Sequence, residues 1–195
     1  MTNEEITEIL QKRLKPTRFK HTLGVAETAV KLAEKYGADK DKAYLAGLLH
    51  DCAKNIDFET SKAYCKEHSV PMKEICMKER SLIHAPLGAY MAKEEFGVSD
   101  PEILTAIYYH TTGHEDMALL TKILYMADAV EPNRDQDGIE EIRELAFSDI
   151  NEALIRSIDA TLLHIINKGV TIDCDTIKAR NFLIEERNAK TKPNC

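Results

Sequence analysis

Apolar residues recur three and four positions apart along almost the whole chain, the spacing that lines one face of a helix. In residues 3–14, Ile6, Ile9, Leu10 and Leu14 share a face, with Glu4 and Glu5 near the N-terminal end where negative charge is favourable. Pro16 separates this segment from residues 17–36, whose stripe is Leu23, Val25, Ala26, Ala29, Leu32 and Ala33; Gly37 is placed to end it. Asp39 or Asp41 can cap a helix through Tyr44, Leu45, Leu48 and Leu49. Short surface helices are predicted over 58–68 and 72–78, and another over 84–96, ended by Gly97. Asp100-Pro101 pairs an N-cap residue with a first-turn proline and predicts a helix to about Tyr109. The strongly apolar stretch 119–130 predicts a central helix, and two more follow over 138–147 and 149–168, the last stopped by Gly169. Residues 170–173 are β-branched and predict extended chain, and the tail from Thr176 is mixed and basic near its end.

Glycine and proline are sparse, 8 and 6 in 195 residues, too few for the turns of a β-rich chain. With no repeat, low-complexity stretch or linker, the pattern predicts an all-α, multi-helix single domain over 1–195, with a core at about 17–168. A chain with 44 % apolar and 30 % charged residues has neither a disordered nor a membrane composition. No apolar run approaches the ~18–20 residues that span a bilayer. The start, Met-Thr-Asn-Glu-Glu-Ile, lacks the basic and apolar regions of a signal peptide, so a cytoplasmic location is expected. A net charge of −7 argues against broad nucleic-acid binding, which needs clustered cations. The five cysteines are odd in number and form no CxxC pair; reduced thiols are expected for Cys52, Cys65, Cys76, Cys174 and Cys195, with Cys52 in the core.

The seven histidines change the picture. His21 stands in Arg18-Phe-Lys-His-Thr-Leu-Gly, and His50-Asp51 is an adjacent pair after Ala-Gly-Leu-Leu. His84 opens His-Ala-Pro-Leu-Gly-Ala-Tyr, His110 closes Ile-Tyr-Tyr-His, and Asp128 ends Leu-Tyr-Met-Ala-Asp. Each is a ligand type in or beside an apolar helical run, so each is expected to point inward. A buried carboxylate costs several kcal/mol unless it is paired or binds a metal. Imidazole and carboxylate together suit iron, manganese, zinc or nickel, and helices of a bundle can bring them to one point. A single inward histidine is more often a core residue than a ligand. Four of them with two aspartates are hard to obtain as accidental core polarity. His68 and His164 serve as contrasts, the first in a solvated context and the second packed or at an edge of the last long helix. His114, just past the Thr-Thr-Gly turn, is close enough in sequence to approach a phosphate.

At these residues the chain resembles the HD-domain metal-dependent phosphohydrolase superfamily, and more closely its bacterial YqeK-type branch, the symmetrical diadenosine tetraphosphatases. The matching stretches run in order: Arg18-Phe-Lys-His-Thr-Leu-Gly-Val-Ala-Glu-Thr-Ala, Ala46-Gly-Leu-Leu-His-Asp-Cys-Ala-Lys, His84-Ala-Pro-Leu-Gly-Ala, Ile107-Tyr-Tyr-His-Thr-Thr-Gly, Tyr125-Met-Ala-Asp-Ala-Val-Glu-Pro-Asn-Arg and Thr176-Ile-Lys-Ala-Arg-Asn. Two positions depart from the pattern: Cys52, where a larger residue is expected, and His114, where arginine is expected. The resemblance implies an HD fold with an iron-containing site. His21, His50, Asp51 and Asp128 would bind one metal. His84 and His110 would either ligate a second, bridged by Asp51, or donate hydrogen bonds to phosphate. It also implies symmetrical cleavage of diadenosine tetraphosphate to two ADP, with residues 169–195 packing near the nucleotide pocket and Ile172 as an apolar wall.

In that setting water activated by one or two divalent ions would attack phosphorus, with Asp51 at the centre. Lys54 lies three residues after Asp51 and, if the helix continues, on its face; Arg18 lies one turn before His21. Arg134 can hold phosphate bidentately, and Thr111, Thr112 and Gly113 form a turn able to cradle one. Tyr108, Tyr109 and Tyr125 are candidates for core packing first and base stacking second. Other HD nucleotidases, acting on nucleoside monophosphates or a guanosine alarmone, and a non-catalytic nucleotide-binding module are the rival readings. A homodimer is left open.

Overall fold

Capping side chains start about half of the helices. In the structure, a computed structural model that describes residues 1–191, Thr2 and Glu5 close a reciprocal capping box on α1 (Asn3–Arg13). Pro16 opens α2 (Pro16–Tyr36), which stops at Gly37 in the left-handed conformation. Of the two caps considered for the next helix, Asp39 is the one used: its carboxylate accepts from the Asp41 and Lys42 amides at the start of α3 (Lys40–Leu49). Asp57 caps α4 (Phe58–Glu67), Asp100 caps α6 (Pro101–Tyr109) and Asp149 caps α9 (Ile150–Lys168). The remaining helices are α5 (His84–Glu94), α7 (Leu119–Val130), α8 (Ile139–Ser148) and α10 (Cys174–Thr191).

The central position expected for α7 is realised. It packs against α2, α3, α6, α8 and α9 and buries Leu120, Ile123, Leu124, Met126, Ala127 and Val130. α2 and α3 are the most intimately packed pair, because Gly47 lets the backbones meet: a Cβ there would lie 2.6 Å from the Ala26 Cα. α5 lies on α6, α3 and α4, while α8 and α10 cover α9. This packing brings the second turn of α2, the C-terminal ends of α3, α6 and α7, and the first residue of α5 toward one centre.

Three segments differ from expectation. Residues 72–78 form only a single 3-10 turn, Glu74–Met77, shortly after Pro71. Residues 170–173 form an irregular connection and join no strand; no strand occurs among the described residues. The mixed tail is a helix, α10, whose buried positions Thr176, Ala179 and Leu183 recur at three- and four-residue spacing. Ala179 sits over the turn after α6, where its Cβ would be 3.2 Å from a Cβ on Gly113. Lys73 ties the α10 start down, its ammonium 2.8 and 2.9 Å from the two oxygens of buried Asp173 and also paired with Asp175. Cys52 is in the core, Cys65 and Cys76 are buried, Cys174 is exposed, and all four are free thiols; Cys195 lies outside the described residues.

Candidate metal centre

His50 and His110 occupy equivalent places, each the residue that ends a helix, α3 and α6. Each ring sets its Nδ1 2.7 Å from the carbonyl three residues back, Gly47 O for His50 and Ile107 O for His110. A carbonyl only accepts, so Nδ1 carries the proton and Nε2 presents a lone pair inward. Both rings are buried, as are His21 and His84. The four rings approach one another closely: Nε2 of His21 and His50 are 3.3 Å apart, and Nε2 of His84 and His110 are 3.2 Å apart.

Asp51, in the turn directly after α3 and 2 % exposed, stands between these two histidine pairs. Its Oδ2 lies 3.4 Å from His50 Nε2 and 3.8 Å from His21 Nε2; its Oδ1 lies 3.2 Å from His84 Nε2 and 3.7 Å from His110 Nε2. Asp128, near the end of α7, puts Oδ1 3.1 Å from His21 Nε2. Burial pushes the Asp51 carboxyl up, but the surrounding imidazoles of His50, His110 and His84 outweigh it and hold it well below the ordinary range. Asp128 is likewise held low, burial being outweighed by His21, His50 and Arg134. His84 stays neutral far below its usual range because it is buried and faces the Lys54 ammonium.

All six residues singled out as ligands therefore come together. Three overlapping sets, His21-His50-Asp51, His50-His110-Asp128 and Asp51-His84-His110, each offer ligand atoms within 4.8 Å of one another. The buried Asp51 Oδ1 accepts no hydrogen bond within the protein, an orphaned anionic oxygen of the kind a cation satisfies. Neutral imidazole nitrogens and ionised carboxylates are the donor set of a divalent transition metal, so the residues fit such an ion.

Three cations rim this centre, each about a third exposed. Arg18 Nη1 is 2.7 Å from Asp51 Oδ2, and Arg134 contacts Asp128 through Nη2 to Oδ1 at 2.6 Å and Nε to the backbone carbonyl at 2.9 Å. The helix runs through Leu49, as expected, and does not continue to Lys54. Lys54 instead rides a succession of tight turns, Cys52 N–H to Leu49 O and Lys54 N–H to Asp51 O. Its Nζ still arrives 3.0 Å from His84 Nε2 and 3.9 Å from Asp51 Oδ1.

Residues 18–133 match the sequence model of the HD domain. The chain belongs to the HD-domain family. It is 41 % identical to a symmetrical bis(5'-nucleosyl)-tetraphosphatase of Bacillus subtilis, over 94 % of this chain and 98 % of that protein. It is 39 % identical to a protein of the same description from Halalkalibacterium halodurans, over 96 % of this chain and all of that one. Its fold superposes on the crystal structure of a predicted HD superfamily hydrolase involved in NAD metabolism from Clostridium acetobutylicum. The TM-score is 0.91 at 40 % identity, covering 95 % of this chain and 98 % of that one.

The other residues singled out in the sequence differ in burial and contacts. Thr111 and Thr112 follow His110, but Thr112 is engaged by the turn itself: its N–H and that of Gly113 reach Tyr109 O, and its hydroxyl donates to Gly113 O. Half-buried Thr111 is the hydroxyl that this turn leaves unengaged. Ile172 is half-buried in the connection between α9 and α10. Tyr125 is core, with its phenol pushed up to about 12 by burial; Tyr108 and Tyr109 are half-buried and meet edge-to-face. His68 is exposed, as expected, against Tyr64. His164 is also exposed rather than packed, because the last turns of α9 run beyond the core. His114 meets Tyr109 at a tilt of 50°, with ring centroids 4.4 Å apart, and points Nδ1 at Glu115 O.

One site residue was not anticipated. Glu131 is 1 % exposed and holds Oε1 3.1 Å from His21 Nδ1. Burial raises its carboxyl, but the Asn133 backbone N–H, His21 and the Asn133 side chain outweigh that and keep it low. In the sequence it reads as a loop acid between Val130 and Pro132; its place in the Ala-Asp-Ala-Val-Glu-Pro-Asn-Arg stretch was the available signal.

Proposed function

We propose that this chain hydrolyses diadenosine tetraphosphate in the middle of its phosphate chain, taking up one water and releasing two ADP. The observation that carries this reading is Asp51: a buried carboxylate with an imidazole pair at each oxygen and three cations at its rim. The description shared by the full-length relatives supports the substrate. In this reading His21, His50, Asp51 and Asp128 hold one divalent ion, and Asp51, His84 and His110 hold a second. The donor set suits iron, manganese, nickel or zinc, and the family resemblance favours iron. When bound, the ion supplies Lewis-acid polarisation of the phosphoryl group and a water acidified toward neutral pH.

The chain's own residues do the rest. Arg18, Lys54 and Arg134 turn from their carboxylate and imidazole partners toward the phosphates and offset the charge that develops at phosphorus. Thr111 adds a hydroxyl donor, and Ile172, with residues 169–191, lies on the nucleoside side. Asp51 orients the water between the histidine pairs. No helix among the described residues is long and apolar enough to cross a membrane, and a cytoplasmic site of action is part of the proposal.

The test is a product assay on protein purified without oxygen and supplied with iron or manganese. Two ADP per diadenosine tetraphosphate, with neither ATP nor AMP, is the expected result. Release of inorganic phosphate from a nucleoside monophosphate, with the dinucleotide untouched, would overturn it in favour of another HD nucleotidase.

A further inference from the structure

The buried carboxylate of Glu131 is held more firmly than packing alone requires. It sits just past the end of α7, yet it is almost wholly inside. Its Oε1 meets His21 Nδ1 at 3.1 Å, while Oε2 accepts from the Asn133 backbone N–H at 2.8 Å and the Asn133 side-chain amide at 2.7 Å. The short loop that carries both residues is clamped from behind by Arg143 on α8. Its guanidinium donates to the carbonyls of Val130 at 2.9 Å, Glu131 at 3.2 Å and Arg134 at 3.1 Å. On the facing helix, α2, the carboxylate occupies the space beside Gly24, one turn beyond His21. A Cβ on Gly24 would come within 2.5 Å of Glu131 Oε2 and 3.2 Å of Asn133 Nδ2.

This arrangement distinguishes His21 from the other ligand histidines. His50 and His110 are fixed through backbone carbonyls of their own helices. His84 has a lysine ammonium for a neighbour, 3.3 Å from Nδ1. Among the described residues, only His21 has a carboxylate on the nitrogen that faces away from the centre. An anion there requires Nδ1 to carry the proton, fixes the ring plane, and makes Nε2 a stronger donor to a cation. That inward nitrogen, Nε2, lies 3.1 Å from Asp128 Oδ1, so a tilt of the ring would separate two ligands that must act together.

We propose that Glu131 is a positioning residue for the metal centre, that it sets the tautomer, direction and donor strength of His21, and that Gly24 and Asn133 exist as its seat. The inference rests on the proposal that His21 ligates a divalent ion.

Equilibrium Co2+ binding, by competition with a chelator, and the visible spectrum of the Co2+-saturated protein test it without reference to turnover. Glu131→Gln removes the charge at nearly constant size. Gly24→Ala leaves the carboxylate in the chain but removes its seat. Both are expected to weaken Co2+ binding by about 10- to 100-fold and to shift the visible bands at saturation. Leu32→Ala, a cavity in the same helix about 16 Å beyond His21, is expected to lower the melting temperature with neither effect. Unchanged affinity and spectrum in Glu131→Gln, or losses that Leu32→Ala reproduces at equal destabilisation, overturn the role of Glu131 while leaving the metal site standing. A wild-type protein that binds no ion overturns both. If Glu131→Gln does not fold, Gly24→Ala and Asn133→Ala carry the same two measurements, and unchanged affinity and spectrum in them overturn the role of Glu131 in the same way.

Discussion

At the scale of single residues, the proposed chemistry centres on Asp51. A carboxylate this deeply buried, with Oδ2 paired to Arg18 and Oδ1 accepting no hydrogen bond within the protein, calls for a cation to balance it. Removing it leaves two imidazole pairs with nothing between them. Asp51→Ala is therefore expected to abolish bound metal and turnover, while His68→Ala, an exposed histidine against Tyr64, changes neither; elemental analysis of the two variants decides it. Lys54→Ala is expected to keep its metal and to lose about 100- to 1000-fold in turnover, the range for deleting one charge-stabilising donor. Loss of metal in that variant would mean that Lys54 organises His84 rather than phosphate. All six ligand candidates were legible in the sequence because each polar residue interrupts or ends an apolar run. Glu131 was not. A single acid between a helix and a proline looks like surface, and its burial depends on Gly24, over a hundred residues away in the chain.

At the scale of helices, periodicity and caps were legible wherever the signal was local: Asp100-Pro101, Gly37 and Gly169 stand where they were expected. α10 was missed because its fully buried positions, Thr176, Ala179 and Leu183, are few and include a polar residue, and the charges between them have no consistent side. The end of α3 at Leu49 was legible, whereas the turns that carry Lys54 beyond it depend on where the His50 and Asp51 side chains must point. The α2–α3 contact offers a sharper test. Gly47→Ala should gain about 1 kcal/mol in helix propensity, yet its Cβ would meet the Ala26 backbone, which cannot rotate away. Overpacking of that kind costs on the order of 1–3 kcal/mol, so a net loss of stability is expected in urea unfolding. A gain would show that the two helices separate easily.

At the scale of the whole molecule, the acidic balance of 33 carboxylates against 26 cations is misleading if read as one number. Arg18, Lys54 and Arg134 gather at one place, so a chain of net charge −7 can still receive a polyanion there. The same centre makes the metal-free protein sensitive to acid. His84 has a folded-state pKa well below its usual 6.5, and Asp51 and Asp128 lie below their usual 3.8. In each case the unfolded chain binds the proton first. The stability these groups contribute is present above the unfolded values and is lost as pH falls below them. The melting temperature of the metal-free protein is therefore expected to fall progressively below pH 6.5 and again through the carboxylate range, with no matching loss between pH 7 and 9. A melting temperature flat down to pH 4 would contradict the burial of His84.

α3 and α6 both end on a histidine whose ring reaches back to its own last turn and forward to the metal centre. An ion gripped by those rings would act as a terminal clasp for two helices at once. Hydrogen–deuterium exchange should register this: the amides of Cys52, Lys54, Thr112 and Gly113, which close the turns just past each histidine, are expected to slow together on metal addition. Amides in the last turns of α9 should keep their rates.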